Sequence, residues 1–582
     1  MRNARLKATV AFCLAVGAAA MATGAARAEP GDFIDDTRAY LSKLEKLGFA
    51  GVVLVARDGA PVFAEGFGLA DRERQIRWTP ATVSTIGSIT KQFTAAAVLA
   101  LEEAGRLGVQ DTLAKHFAEV PDDKKAITLH QLLTHSSGIV DLEGADDWDP
   151  IGREEFVRRA LAQPLSFPPG SGYEYSNANY SLLGAIVEQI TGGSWEQFAR
   201  SRLWLPQAMY ETGYVLPRWG DGRMAQGYRA GTRWGTVLER PMDKDGPYWV
   251  LRANGGVHAP AYDMLRWAQA LMDGRVLSAA SMEKLWAPHV KEPGDTHYGY
   301  GWTIARAGDA KVVTHNGGNG IHFADLAIVP SARTVIFLQT NVIADVPAGN
   351  RLLRQIGLRL VAGEAYPDVP DVVAMPADEL RALEGSYRLP ADMGTLRLTT
   401  SDGRLIAEAQ GPGAFALLHS SRPMDEARVA RLSARMGEVV TAALQGDFEP
   451  MRRARGDDFP VKTLAERHGQ WRKEQEAALG ALQGHDVLGT ALQEGRDVTL
   501  VRFRFERGTA DRAYVWDPAA EAKLQGVSMR GLRPGLPFVP VGPGRFASWD
   551  GGLLPSRPLT FSQGADGRMR AALGNTGPTA IR

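Results

Sequence analysis

Cysteine is nearly absent: one residue in 582, Cys13, inside an apolar run at the extreme N-terminus. Phe12 before it argues against a lipid-modified cysteine, and removal of that run would leave none at all. Disulfides, thiolate zinc sites and cysteine nucleophiles are then excluded together. Net charge is lacking too, with 66 basic residues against 66 acidic ones. Nucleic-acid binding usually shows as a basic face, so no nucleic-acid partner is expected. Beyond the first 28 residues no apolar stretch approaches the length of a membrane span. There is no Gly-x-Ser-x-Gly elbow and no phosphate-cradling loop. His130 and His135 stand five apart without the glutamate of a metalloprotease helix, and no metal or other cofactor is expected.

The N-terminus has the three parts of a secretory signal. Arg2, Arg5 and Lys7 precede an apolar run from Ala8 to about Thr23, and Ala26-Arg27-Ala28 offers small residues where a signal peptidase reads. Residues 1–28 are expected to be removed on export, giving a periplasmic or secreted protein with no membrane span. The alternative is an uncleaved anchor. Cleavage takes the basic count from 66 to 62, a net charge near −4.

Residues 29–365 read as one α/β unit. Ile34 to Leu47 is amphipathic and predicts an opening helix. Gly51 to Arg57 and Pro61 to Leu69 predict strands around Asp58-Gly59, a strong hairpin turn. Lys311 to His315, Ile321 to Val329 and Thr334 to Thr340 predict three more, and Gly349 to Val361 a closing helix. Strands open and close the region and helices fill its middle, which predicts a sheet built from both chain ends with helices around it. Pro367, Pro370 and Pro376 mark a linker. Beyond it, residues 366–421 and 530–582 read as a β-rich domain. Its first part holds a hairpin, Thr395 to Thr400 and Arg404 to Ala409, and a strand from Ala414 to Leu418. Residues 422–529 read as an inserted α+β module: helices from Asp425 to Leu444 and Val461 to Leu482, then four strands. The clearest strand alternates Val501, Phe503 and Phe505 with Arg502, Arg504 and Glu506.

Candidate chemistry begins with Thr85-Ile-Gly-Ser-Ile-Thr-Lys91, which leads into an apolar helix. Ser88 and Lys91, at i and i+3, share one helical face. A serine hydroxyl is a poor nucleophile until a base takes its proton, and a lysine serves where its surroundings favour the neutral amine. A first-turn serine also has a backbone N–H and the positive helix end beside it. The bland alternative is a helix cap and a solvated lysine. Tyr175-Ser176-Asn177 precedes a helical run from Tyr180 to Ile190; the tyrosine suits a proton relay, and the asparagine either orients a carbonyl or caps the helix. His315-Asn316-Gly317-Gly318 ends a strand. Asn-Gly is the favoured hairpin dipeptide, but glycines at a strand edge also admit a substrate closely and present an N–H. His258, after two glycines, either lines a cleft or packs.

In this order the three elements resemble the serine β-lactamase and penicillin-binding-protein superfamily, most closely the class C β-lactamase-like branch with its D,D-carboxypeptidases, D-aminopeptidases and esterases. Gly66-Phe-Gly-Leu-Ala-Asp71, Ile127-Thr-Leu-His-Gln-Leu-Leu-Thr-His-Ser-Ser-Gly138, Gly255-Gly256-Val257 and Tyr298-Gly-Tyr-Gly-Trp302 also match, over about residues 32 to 363. The resemblance implies an antiparallel sheet flanked by helices with an all-helical subdomain. It implies Ser88 as the acylated nucleophile, with Lys91 and Tyr175 moving its proton. Asn177, His315, Gly317 and Gly318 would bind substrate, with an oxyanion hole from the N–H groups of Ser88 and Gly318. The chain departs from many relatives in having His315-Asn316-Gly317 where they have Lys-Thr-Gly or Lys-Ser-Gly. A shorter, mostly neutral histidine weakens anion binding, which argues against efficient β-lactam hydrolysis. The expectation is a serine hydrolase acting on a D-amino-acid-containing peptide or an ester. The rivals are a β-lactamase, and a cell-wall or partner binding protein acting through its C-terminal modules with a vestigial active site.

Overall fold

The computed structural model describes residues 30–582, apart from 143–144, 230–231, 343–351, 353–354, 358, 361–362, 402, 421–422, 457–460, 494, 520, 529–534, 549–555 and 575–577. The expected signal segment, 1–28, and most of the expected closing helix lie outside the described residues. The chain divides into two compact units between Pro367 and Asp368. Among the described residues no helix is long and apolar enough to cross a membrane.

In the first unit the sheet has eight antiparallel strands. They are β1 (Gly51–Arg57), β2 (Ala60–Phe67), β3 (Val290–Lys291), β4 (His297–Tyr298), β5 (Thr303–Ala307), β6 (Ala310–Gly318), β7 (Phe323–Val329) and β8 (Thr334–Thr340). Their order is β2-β1-β8-β7-β6-β5-β4-β3, so the first and last strands in chain order, β1 and β8, pair side by side in one sheet. Val52 to Ala56 are all buried, as a strand covered on both faces must be. Asp58 and Gly59 both have positive φ, 50° and 80°, the turn that suits a right-twisted hairpin. α1 (Pro30–Lys46) buries Phe33, Leu41 and Leu44. α2 (Thr90–Glu103) is buried along nearly its whole length, from Thr90 to Leu101, the mark of a helix inside the core rather than on it. Between α2 and β3 the regular structure is mainly helical, joined by long loops, with Arg153–Ala162, α3 (Asn177–Thr191) and Ala261–Met272 the longest segments.

One local expectation is corrected at β6. Asn316-Gly317 is not a hairpin turn: the strand runs on through both, with Asn316 opposite Asp325 and Gly317 opposite Ala324. The reversal falls in residues 319–322. The reason is tertiary, since Gly317 is needed where the strand touches the start of α2.

The second unit holds a closed eight-stranded barrel made from Gly385–Arg388, Thr395–Ser401, Arg404–Gln410, Gly535–Gly542, Arg545–Ser548, Ser556–Gln563, Met569–Leu573 and Thr579–Ile581. Between its third and fourth strands come four helices and an antiparallel meander of four strands. The meander serves two cores. Leu500, Ala513 and Val515 join the cluster containing the barrel interior, while Val501, Phe503, Phe505, Tyr514 and Trp516 pack with the helices Glu426–Leu444, Glu449–Arg455 and Val461–Leu479. The expected strand at Ala414 to Leu418 is instead the helix Pro412–His419. A short apolar run does not reveal its period, and Pro412 in the first turn favours helix. The helix Glu449–Arg455 was not anticipated.

Candidate active site

Ser88 sits in a 3-10 turn, Gly87–Ile89, that feeds directly into α2. Lys91 is fully buried one turn on. Its Nζ lies 2.8 Å from Asn177 Oδ1, 2.8 Å from the Asn254 carbonyl oxygen and 3.1 Å from Ser88 Oγ. The rings of Tyr175 and Tyr180 lie 4.8 and 5.7 Å from it. A cation taken out of water needs this density of oxygen and π-electron partners.

Each partner is itself held. Ser176 is the residue before α3; its hydroxyl and the Ala178 N–H both donate to Asp141, at 2.9 and 3.1 Å, and its N–H donates to His135 Nδ1. Asn177 is thereby freed from capping and turned toward Lys91. On the opposite side, Ala253 has a positive φ of 65°, its carbonyl accepts from Thr94 Oγ1 and its N–H donates to the Tyr214 hydroxyl. Asn254 Nδ2 donates to Ser181 Oγ and the Val250 carbonyl, fixing the peptide that faces Lys91.

Tyr175 hydrogen-bonds Ser88 through its side chain, and burial raises its phenol above the usual range despite that bond. Its ring packs on His135 at 4.4 Å and lies 6.1 Å from both Tyr298 and His315.

His315 stands behind this tyrosine. Its Nδ1 lies 2.6 Å from the Asn316 carbonyl oxygen, which can only accept, so Nδ1 carries the proton and Nε2 accepts from the Tyr298 hydroxyl at 3.0 Å. Burial first, and then the nearby Lys91 charge, lower its pKa to about 3. The histidine is therefore neutral, and its ring does not line the cleft.

That has a consequence for stability. Below pH 6.5 the unfolded chain protonates this histidine and the folded chain does not, so its contribution is present above pH 6.5 and is lost on acidification toward pH 3. Any deficit of His315→Gln at pH 7 should shrink by about 2 kcal/mol at pH 5, read by urea denaturation of both proteins. A deficit that is unchanged or wider at pH 5 contradicts a neutral His315.

Gly317 and Gly87 make the seam between β6 and the nucleophile turn. A Cβ on Gly317 would overlap Ile86 O and Ser88 N, and one on Gly87, whose φ is +51°, would overlap Gly318 N. The backbone nitrogens of Ser88 and Gly318 are thereby brought to adjoining edges of one cleft. The cleft opens to solvent, and about 390 Å³ of space lies within and in front of it. Ser88, Asn177, Asn254 and Gly318 line it with polar groups, and Trp148, Val237, Leu251 and Asp147 line it as well. Gly317 does not line the cleft and packs instead against the nucleophile turn. His258 is buried against Trp219, at 5.4 Å, and does not line the cleft.

A family profile described as Beta-lactamase matches residues 37–358, more than half of the chain. The chain belongs to the beta-lactamase family. Within that family it is 29% identical to penicillin-binding protein 4* of Bacillus subtilis (strain 168) over 403 residues, 65% of this chain and 87% of that protein. It is 31% identical to protein flp of Staphylococcus aureus (strain MW2) over 186 residues, 30% of this chain and 37% of that protein. The solved octameric penicillin-binding protein homologue from Pyrococcus abyssi covers 94% of this chain and 99% of its own, with a TM-score of 0.50 and 18% identity. That likeness shows a shared fold extending past the family domain into the C-terminal unit.

Four groups at the site escaped the sequence reading. The Asn254 carbonyl is backbone and carries no side-chain signal. Tyr298 and His135 fall in segments that match the resemblance without an assigned role. Asp147 lies in a loop with no periodicity, and only the fold brings it to Ser88.

Proposed function

We propose that this chain is a serine hydrolase that forms an acyl-enzyme on Ser88 and acts on a D-amino-acid-containing peptide or an ester. The observation that carries this reading is the set of three oxygens around Lys91. Two of them, Asn177 Oδ1 and Asn254 O, can only accept, while the Ser88 hydroxyl can donate or accept. When the Lys91 ammonium gives up a proton, the amine keeps its N–H bonds to these two acceptors and turns its lone pair to the one group whose proton must leave. In acylation, Ser88 Oγ bonds to the substrate carbonyl carbon as its proton passes to Lys91 Nζ. The C–N or C–O bond then breaks, and the leaving amine or alkoxide takes a proton through Lys91 and Tyr175. Water repeats the sequence in deacylation. Tyr175, protonated at rest, is suited to the relay and not to serve as a standing phenolate. Asn177, with its oxygen held by Lys91, retains Nδ2 for the substrate carbonyl, and the N–H groups of Ser88 and Gly318 stabilise the oxyanion. His315 positions Tyr298 and Tyr175. Its neutral, buried ring supplies no charge for a β-lactam carboxylate, which favours peptides or esters over antibiotics.

The proposal is tested by trapping the intermediate. The protein is incubated with p-nitrophenyl acetate or a fluorescent penicillin, quenched in acid, digested and analysed by mass spectrometry. The acyl mass is expected on the peptide bearing Ser88, and absent from Ser88→Ala. Ester turnover with the adduct on any other residue overturns it.

The same reading takes 1–28 as an export signal, with a periplasmic or secreted product. It takes 29–365 as the hydrolase domain, 366–421 with 530–582 as a β-rich domain, and 422–529 as its insertion. The charged, apolar and small-residue pattern of the leader supports the first, and the division at Pro367 supports the second.

A further inference from the structure

We propose that Asp147 selects substrates with a free, cationic amino group beside the scissile carbonyl, so that amides, esters and short peptides of unblocked amino acids are preferred. This rests on the reading of Ser88 as the nucleophile and adds what the neighbouring wall of the cleft recognises.

Asp147 is the charged residue among the described residues lining the cleft, and no lysine or arginine lines it. The turn around it is closed by its neighbours. Asp146 N–H donates to Asp149 Oδ2 at 2.9 Å, and Trp148 N–H donates to Asp146 Oδ1 at 3.1 Å. Asp141 is occupied at the start of α3. The Asp147 carboxyl has no hydrogen-bond or ion-pair partner among the described residues, although it shares the cleft with Ser88 and Asn177. The residue is half-buried, so water meets part of its need, and a cation in the cleft would meet the rest. Burial, and then the charges of Asp146 and Asp141, push it up to about 7; Lys91 opposes them, but its own Nζ is committed to three oxygens. An arriving ammonium would supply the missing countercharge and draw the carboxyl back to its ionised form.

Trp148, Val237 and Leu251 give the same cleft its apolar lining. An amino-acid residue has the matching parts: a carbonyl for Ser88, an ammonium one carbon away and a side chain for the apolar lining. A substrate with a carboxylate in the same place meets repulsion instead, and His315 offers no compensating charge. Both features lead away from carboxypeptidase and β-lactamase substrates and toward aminopeptidase- or amidase-like ones.

The test compares D-phenylalanine p-nitroanilide with its N-acetyl derivative. For the wild type, kcat/KM is expected to favour the free amine by about tenfold or more, the scale of one charge-assisted contact. In Asp147→Asn that ratio should fall to near one, mainly through KM, and Asp147→Glu should restore part of it. Equal rates for the two substrates in the wild type overturn the proposal. So does an Asp147→Asn variant that slows both by the same factor, since that describes a structural or proton-transfer role. Calorimetry provides an arm independent of turnover: Ser88→Ala should bind D-phenylalaninamide more tightly than N-acetyl-D-phenylalaninamide, and Ser88→Ala with Asp147→Asn should not. If Ser88→Ala hydrolyses the anilides as the wild type does, the nucleophile assignment fails, while calorimetry still decides the role of Asp147.

Discussion

Lys91→Met is expected to slow acylation by about 100- to 10,000-fold, the range for loss of a positioned general base. Methionine keeps the length and the burial but provides neither a lone pair for the Ser88 proton nor donors for Asn177 Oδ1 and Asn254 O. Two oxygens that now receive hydrogen bonds at 2.8 Å would be left without them. Each such loss costs about 1–3 kcal/mol where no water replaces the donor, so Tm should fall as well. The p-nitrophenolate burst gives the acylation rate, and circular dichroism gives Tm. Lys91→Arg separates two explanations, because an arginine stays charged and cannot act as a base. If Lys91→Arg acylates nearly as fast as the wild type, the site uses positive charge and not a proton acceptor. If Lys91→Met does so, Lys91 has neither role.

Gly317→Val is expected to disable the site without touching a polar side chain. A β-carbon there overlaps the Ile86 carbonyl and the Ser88 nitrogen, so either β6 moves off α2 or the nucleophile turn is pushed into the cleft. Overpacking of this kind typically costs about 1–3 kcal/mol, and here the clash is with backbone, which has no rotamer to escape into. Ester turnover should fall by about 100-fold or more, because displacing an oxyanion donor has effects of that order. Gly317→Ala should do the same in milder form. Wild-type turnover and Tm in both variants would show that the seam has slack.

These two positions also show what the sequence makes legible. Ser88 and Lys91 meet because helical spacing alone brings i and i+3 together, and Gly51 to Arg57 is read as a strand because its branched residues run up to a hairpin dipeptide, a reading the structure bears out. Asp58-Gly59 announces its turn by chemistry that few other dipeptides have. Asn316-Gly317 carries the same kind of signal and yet forms no turn, since a tertiary demand for a residue without a β-carbon outweighs the local preference. The Asn254 carbonyl has no side-chain identity to read. Asp147 and Trp148 lie in an aperiodic loop whose destination depends on every element around it. Ala414 to Leu418 reads as a strand and folds within the helix Pro412–His419, because so few residues do not separate a period of two from one of 3.6 when most are apolar. What was legible was local or periodic; what was not depends on distant backbone.

The closed barrel bears on how the C-terminal unit can meet anything else. Its first strand, Gly385–Arg388, pairs with its last, Thr579–Ile581, through Arg388 and Ile581, so the hydrogen-bonding ladder returns to its start. A ladder without ends gives a visiting polypeptide no row of unpaired amides to extend. Among the described residues a partner of the barrel would thus meet side chains and loop tips, which mutation can alter one residue at a time without unravelling the strands beneath them.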